Sequence, residues 1–151
     1  MKIEMIRNNK KSFLDLLLLA DEQENMIDRY LERGDMFALY DSDLKSVCVV
    51  TNEGQGIYEL KNIATYEMYR GRDYGKKLIN HLLQYYNDRC QTLIVGTGDN
   101  SAAILFYEHC GFSFSHRVCN FFTDHYDFLI FENGRQLIDM IYMRKDLKSA
   151  V

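Results

Sequence analysis

The run Arg70-Gly71-Arg72-Asp73-Tyr74-Gly75-Lys76-Lys77 sets four cationic side chains and two glycines just ahead of a stretch with helical apolar spacing. The first turn of a helix has N–H groups with no carbonyl to meet, and it carries the positive end of the helix dipole. Gly71 and Gly75 let a ligand approach the backbone, and the basic side chains add charge. Such a bend is a cradle for a diphosphate. It is not a nucleotide loop of either common kind: GxxxxGK[ST] is absent, and no GxGxxG follows the first strand. A solvated, glycine-containing connection is the plainer reading. The strand ahead of it carries Glu59, and simple alternation puts Glu59, Lys61, Ile63 and Thr65 on one face. The plain reading of Glu59 is half of a solvated pair with Lys61.

Arg70-Gly71-Arg72-Asp73-Tyr74-Gly75 resembles the Arg/Gln-x-x-Gly-x-Gly/Ala signature of the GNAT superfamily of acetyl-CoA-dependent N-acetyltransferases. It matches at Arg70 and Gly75 and departs at Asp73, where the family has its first glycine. Asp99 to Phe112 resembles the second signature, an Asn, a helix with small residues, then a Tyr shortly before Gly-Phe. The resemblance runs from Asp35 to the final strand. It implies acetyl-CoA as co-substrate, no metal, and a small-molecule or peptide amine as acceptor, attacking directly in a ternary complex.

The same resemblance implies roles for single residues. Arg70, Gly71, Arg72, Asp73, Tyr74, Gly75 and Lys76 would hold the diphosphate. The main chain of Ile63, Ala64 and Thr65 would pair with pantetheine where that strand splays from its neighbour. Asn100 would bond the pantetheine arm, or serve only as a helix cap. Tyr107 would be the general acid: a phenol, with an ordinary pKa near ~10, can protonate a departing thiolate. Its plain alternative is a packed core aromatic. Glu59 would be the base, unless water relays the proton. Asp73 tolerates left-handed backbone but sets a carboxylate beside the diphosphate. That departure sustains a second reading, a non-catalytic acyl-CoA-binding regulatory module. A third is an interaction domain with no cofactor.

These residues need elements to hold them. Lys2 to Arg7 reads as a strand, and Ser12 to Ala20 and Asn25 to Arg33 as helices, with Ser12 as an N-cap and Gly34 as a stop. Asp35 to Tyr40, Ser46 to Thr51 and Ile57 to Thr65 read as strands joined by turns. Leu78, Ile79, Leu82, Leu83 and Tyr86 make one stripe on a helix over Gly75 to Arg89. Gln91 to Val95 reads as a strand, Ser101 to Cys110 as a helix, and Phe112 to Phe122 and Leu137 to Arg144 as closing strands. Between these last two, Thr123 to Gln136 is an aromatic-rich loop and a candidate for ligand contact. Within it His125 to Gly134 resembles a loop of one bacterial branch of the family and would shape the acceptor pocket or a subunit contact, or else pack on its own domain as a hairpin tip. Periodicity reaches only a mixed α/β or α+β fold. The resemblance implies a central mixed, mostly antiparallel sheet of about seven strands flanked by about four helices.

The chain of 151 residues fits one domain, 1–151, with a formal net charge of -4. That balance does not advertise a nucleic-acid partner. The longest apolar run, near Leu16 to Ala20, is too short to cross a bilayer, and no secretory leader is visible. Cys48, Cys90, Cys110 and Cys119 form no metal-ligand spacing and read as reduced thiols of a cytoplasmic protein. The four scattered histidines suggest no metal site. A homodimer is compatible with all of this.

Overall fold

The computed structural model describes residues 1–147. Its centre is a sheet of seven strands: β1 (Lys2–Ile6), β2 (Asp35–Asp41), β3 (Asp43–Gly54), β4 (Ile57–Thr65), β5 (Thr92–Gly98), β6 (Ser113–Val118) and β9 (Met140–Asp146). They lie in the order β1-β2-β3-β4-β5-β9-β6. Every pairing is antiparallel except β4 with β5. A parallel pair needs a long crossover, and α3 (Tyr74–Tyr85) supplies it. A separate ribbon, β7 (Phe131–Glu132) with β8 (Arg135–Gln136), stands outside the sheet. The mixed α/β fold expected from the sequence is the one observed.

Both faces of the sheet are covered, so β2 and β3 read as nearly unbroken apolar runs. Phe37, Leu39, Cys48, Val50 and Leu60 pack with Leu78 and Leu82 of α3. On the other face Met36, Ala38, Val47 and Val49 meet Leu16 and Leu17 of α1 (Leu14–Leu17) and Ile27 of α2 (Glu24–Ile27). The expected helices over Ser12 to Ala20 and Asn25 to Arg33 are each cut to one α-helical turn. Their ends tighten to three-residue bonds, Ala20 N–H to Leu17 O at 3.2 Å and Tyr30 N–H to Ile27 O at 3.1 Å. Ser12 is not an N-cap: it lies inside a 3-10 turn over Lys10–Phe13, and its hydroxyl donates back to Asn9 O at 2.7 Å.

Two further boundaries differ from expectation. The run Phe112 to Phe122 is not one strand. Asn120 turns left-handed at φ 58° and the chain enters a short helix, α5 (Phe121–His125). The last strand starts at Met140 rather than Leu137. In α4 (Ser101–His109), Asn100 is the cap, its side-chain oxygen accepting from Ala102 N–H at 3.0 Å.

β4 departs from simple alternation. Val49 pairs Asn62 and Val50 pairs Leu60, so Lys61 has no partner on β3. This bulge shifts every later side chain by one position. Ile63 joins Leu60 on the α3 face, while Lys61 reaches Glu59 and Asn62 reaches Leu17 on the opposite face. The single face expected for Glu59, Lys61, Ile63 and Thr65 is therefore split between Lys61 and Ile63.

One buried cation closes the α2 side. The Lys10 ammonium donates to Leu31 O at 3.0 Å, Glu32 O at 3.3 Å and Gly34 O at 2.7 Å. Those carbonyls follow a helix too short to bond them itself. Lys10→Met keeps the stem and orphans the carbonyls, so we expect it to cost about 2 kcal/mol in urea unfolding. An unchanged midpoint would show that other donors meet them.

Candidate active site

β4 and β5 pair only from Ile57↔Thr92 to Leu60↔Val95. Beyond that point β4 stays with β3 and β5 stays with β9, and the two strands part. A cavity of about 280 Å³ opens at the parting, with Leu60, Ile63, Val95, Gly96 and Tyr107 in its wall. The strand glycines make room here: a Cβ on Gly96 would fall 2.8 Å from Met140 Sδ, and one on Gly98 2.6 Å from Leu137 Cδ1.

Tyr107 projects from α4 and is 8% exposed. Its ring packs edge-on against Phe106 at 5.2 Å and Phe112 at 5.8 Å. Burial, reinforced by Cys110 and Glu132, raises its phenol above the ordinary value, so the proton stays on the oxygen at neutral pH. Glu59 lines the same cavity, also 8% exposed. Its carboxylate meets Lys61 Nζ at 3.1 Å. Burial raises its pKa against the pull of Lys61, which moves it toward the range where a carboxylate can take up a proton. Glu59 does pair with Lys61, but its own carboxylate is buried while the Lys61 side chain stays partly exposed.

The glycine-rich bend has the geometry of an anion cradle. Gly71 sits at φ 81° with open space where a Cβ would be, and Asp73 is left-handed at φ 64° with no capping bond from its side chain. Lys77 N–H closes onto Asp73 O at 2.9 Å. The N–H groups of Tyr74, Gly75 and Lys76 therefore have no carbonyl one turn behind them. Arg70 donates to Thr65 O at 3.3 Å and Arg72 stands 5.7 Å from the Tyr69 ring, both exposed at the bend.

Two residues of the bend act differently from their sequence reading. The Tyr74 side chain is buried and donates to Asp41 at 2.7 Å, so only its main chain faces the bend. A Cβ on Gly75 would lie 3.1 Å from Phe106 Cζ and 3.8 Å from Ile63 Cδ1. Gly75 thus lets the start of α3 press on α4 and β4. Ala64 is buried on the opposite face of the sheet and offers only its backbone. Asn100, besides capping α4, donates to Glu132 at 2.6 Å.

The late segment reaches the cavity through Tyr126, Ile130 and Glu132, with Phe121, Phe122 and Leu137 flanking it. A polar chain across this side was not legible in the sequence. Asn62 donates to Leu17 O and to the Tyr30 hydroxyl, each at 3.0 Å. Tyr30 donates to Asp21 at 3.0 Å, and Tyr126 donates to the other Asp21 oxygen at 2.7 Å. Gln23 accepts from Asp127 N–H at 2.9 Å. The Asp21 carboxyl is raised by burial despite its two tyrosine donors. The sole local signal was Asn62, a short amide inside a strand. Among the described residues, no group of three or more metal-ligating side chains occurs, and no helix is long and apolar enough to cross a membrane. Cys48, Cys90, Cys110 and Cys119 form no disulfide.

Residues 7–112 match the model of the acetyltransferase (GNAT) family. The chain is 35% identical over 150 residues to the uncharacterized N-acetyltransferase YvbK of Bacillus subtilis, covering 97% of each. It superposes on a Bacillus subtilis acetyltransferase in complex with CoA at TM-score 0.87 and 34% identity, covering 96% of this chain and 97% of that one. A GNAT family acetyltransferase from Elizabethkingia anophelis with acetyl-CoA bound gives TM-score 0.89 at 30% identity, again covering 96% and 97%.

The raised Glu59 pKa has a consequence for stability. Its folded value lies above the ordinary 4.5. The stabilisation from protonation is full below the unfolded pKa and is lost as pH rises through the folded one. Glu59→Gln lacks that dependence. The stability of the wild type relative to Glu59→Gln should fall as pH climbs from 4.5 toward neutrality. A difference flat with pH, measured by urea unfolding, would mean that the carboxyl titrates as it does in the unfolded chain.

Proposed function

Because the chain belongs to the acetyltransferase (GNAT) family and is an acyltransferase, we propose that it moves the acetyl group of acetyl-CoA onto a primary amine of a small molecule or peptide, by direct attack in a ternary complex. The observation that carries this reading is the meeting of Tyr107 and Glu59 in one cavity where β4 and β5 part. The residues at the bend suit the co-substrate, whose thioester supplies the acetyl group. The N–H groups of Tyr74, Gly75 and Lys76 point where a diphosphate would lie, with Arg70, Arg72 and Lys76 adding charge around them. The exposed backbone edge at Ile63–Thr65 suits an extended amide arm. Two similar proteins of the same fold carry CoA or acetyl-CoA, which supports the assignment. For Asn100 to bond the arm, its amide would have to leave Glu132.

The chain's own groups then divide the proton work. Glu59 takes a proton from the incoming ammonium, directly or through water, because only the neutral amine is a nucleophile. Tyr107 holds its proton at the phenol oxygen and gives it to the departing sulfur. A backbone N–H near Ile63 stabilises the negative charge that develops on the acyl oxygen in this reading.

Asp73 favours a second reading, a regulatory module that binds acyl-CoA without transfer. A carboxylate in left-handed backbone at the cradle opposes a diphosphate by charge and adds strain. Thiol release from acetyl-CoA with a panel of amines separates the two, since a module would release none.

Tyr107→Phe should lower kcat by at least about a hundredfold while leaving the calorimetric Kd for CoA unchanged. Full turnover in that variant would remove Tyr107 from the acid role. Asp73→Gly relieves both the strain and the repulsion, and we expect it to tighten CoA binding about tenfold. Weaker binding would show that the Asp73 carboxylate organises the bend.

A further inference from the structure

We propose that the acceptor is a dicationic amine, in the manner of a short α,ω-diamine, with one amine at Glu59 and Tyr107 and the second ammonium held by Glu22 and Glu132. This rests on the acetyl-transfer reading and narrows it. The cavity's charges do not cancel. Lys61 is occupied by Glu59 at 3.1 Å, and Arg33 by Glu53 at 3.1 Å. Asp21, Glu22 and Glu132 then face Arg29, the cation of the lining without a carboxylate partner among the described residues. Burial and the charges of Glu132 and Asp21 raise the Glu22 carboxyl, as expected of anions crowded together without enough counter-charge.

A second feature of the same cavity calls for a donor. Asn62 is 3% exposed and its amide nitrogen is committed to Leu17 O and Tyr30, which leaves Oδ1 with no hydrogen-bond partner. A buried acceptor without a donor is costly, and an amine or ammonium supplies N–H groups. Between the polar groups, Phe121, Tyr126 and Tyr142 provide apolar and π surface for a methylene chain and its cationic ends. An acceptor bearing a carboxylate would be repelled by the acidic face. Glu132 is also within electrostatic reach of Tyr107, so the acidic face continues to the reacting end.

The test compares a short α,ω-diamine with the monoamine of equal carbon count. The diamine should show a kcat/KM about tenfold higher in the wild type. The ratio should fall toward one in Glu22→Gln and in Glu132→Gln; taking the ratio cancels any effect of Glu132 on the chemistry itself. A ratio near one in the wild type, or one that neither substitution changes, overturns the proposal. Calorimetry of both amines with the CoA-loaded protein gives a readout independent of turnover. Tighter diamine binding with no thiol release from any amine would sink acetyl transfer but keep the dication site. Thiol release with equal binding of the two amines would do the reverse.

Discussion

At Lys61, β4 holds one residue more than β3 can pair, and the strand twists to absorb it. Its ladder to β5 ends at Leu60, the residue before the bulge. The next residue on β5 past the last pair is Gly96, whose missing side chain leaves its place to Met140 and Tyr142. A continuous parallel ladder would have sealed this part of the sheet. Instead, backbone donors and acceptors on the edge of β4 face a cavity, and the bulge turns Glu59, Lys61 and Asn62 toward the α1–α2 side while Ile63 keeps to α3. Glu59 and Tyr107 are thus brought to the same cavity from opposite faces of one sheet.

The polar groups around that opening are not the ones a stable core would choose. A half-buried ion pair such as Glu59–Lys61 contributes little net stability, since desolvating Glu59 offsets most of the attraction. An orphaned Asn62 oxygen and a left-handed Asp73 are both unfavourable. The apolar clusters on the two faces carry the fold and offset these local costs. Glu59, Lys61 and Asn62 gather on one cavity wall, and departures from good local chemistry mark a site better together than any one does alone.

Legibility followed the range of the interaction. β4 matched residue for residue, and Asn100 and the bend at Arg70–Gly75 could be placed, because alternation, a cap and a glycine-bearing turn are local signals. The bulge could not be seen, since it is a mismatch between β4 and β3. The two early helices were overestimated because their apolar runs are satisfied by docking on the sheet rather than by helical length. Tyr74 sat inside a motif, yet its side chain answers to Asp41, thirty-three residues earlier. Gly75 was read as a ligand contact, while its tightest neighbour is Phe106 on a different helix.

The two halves of the cavity are built on different principles. One wall comes from Glu59 to Ile63 of β4 and Val95 to Gly98 of β5, neighbours within two adjacent strands. The opposite wall is assembled from Asp21, Tyr30 and Tyr126, joined by bonds that span up to 105 residues. Asp21 is the knot, accepting from one tyrosine on the α2 side and one after α5. A change in the late segment can therefore reshape that wall without disturbing β4, provided Tyr126 still reaches Asp21. That separation explains why the strand wall was legible from local alternation while the opposite wall had to be read from side chains brought together only by the fold.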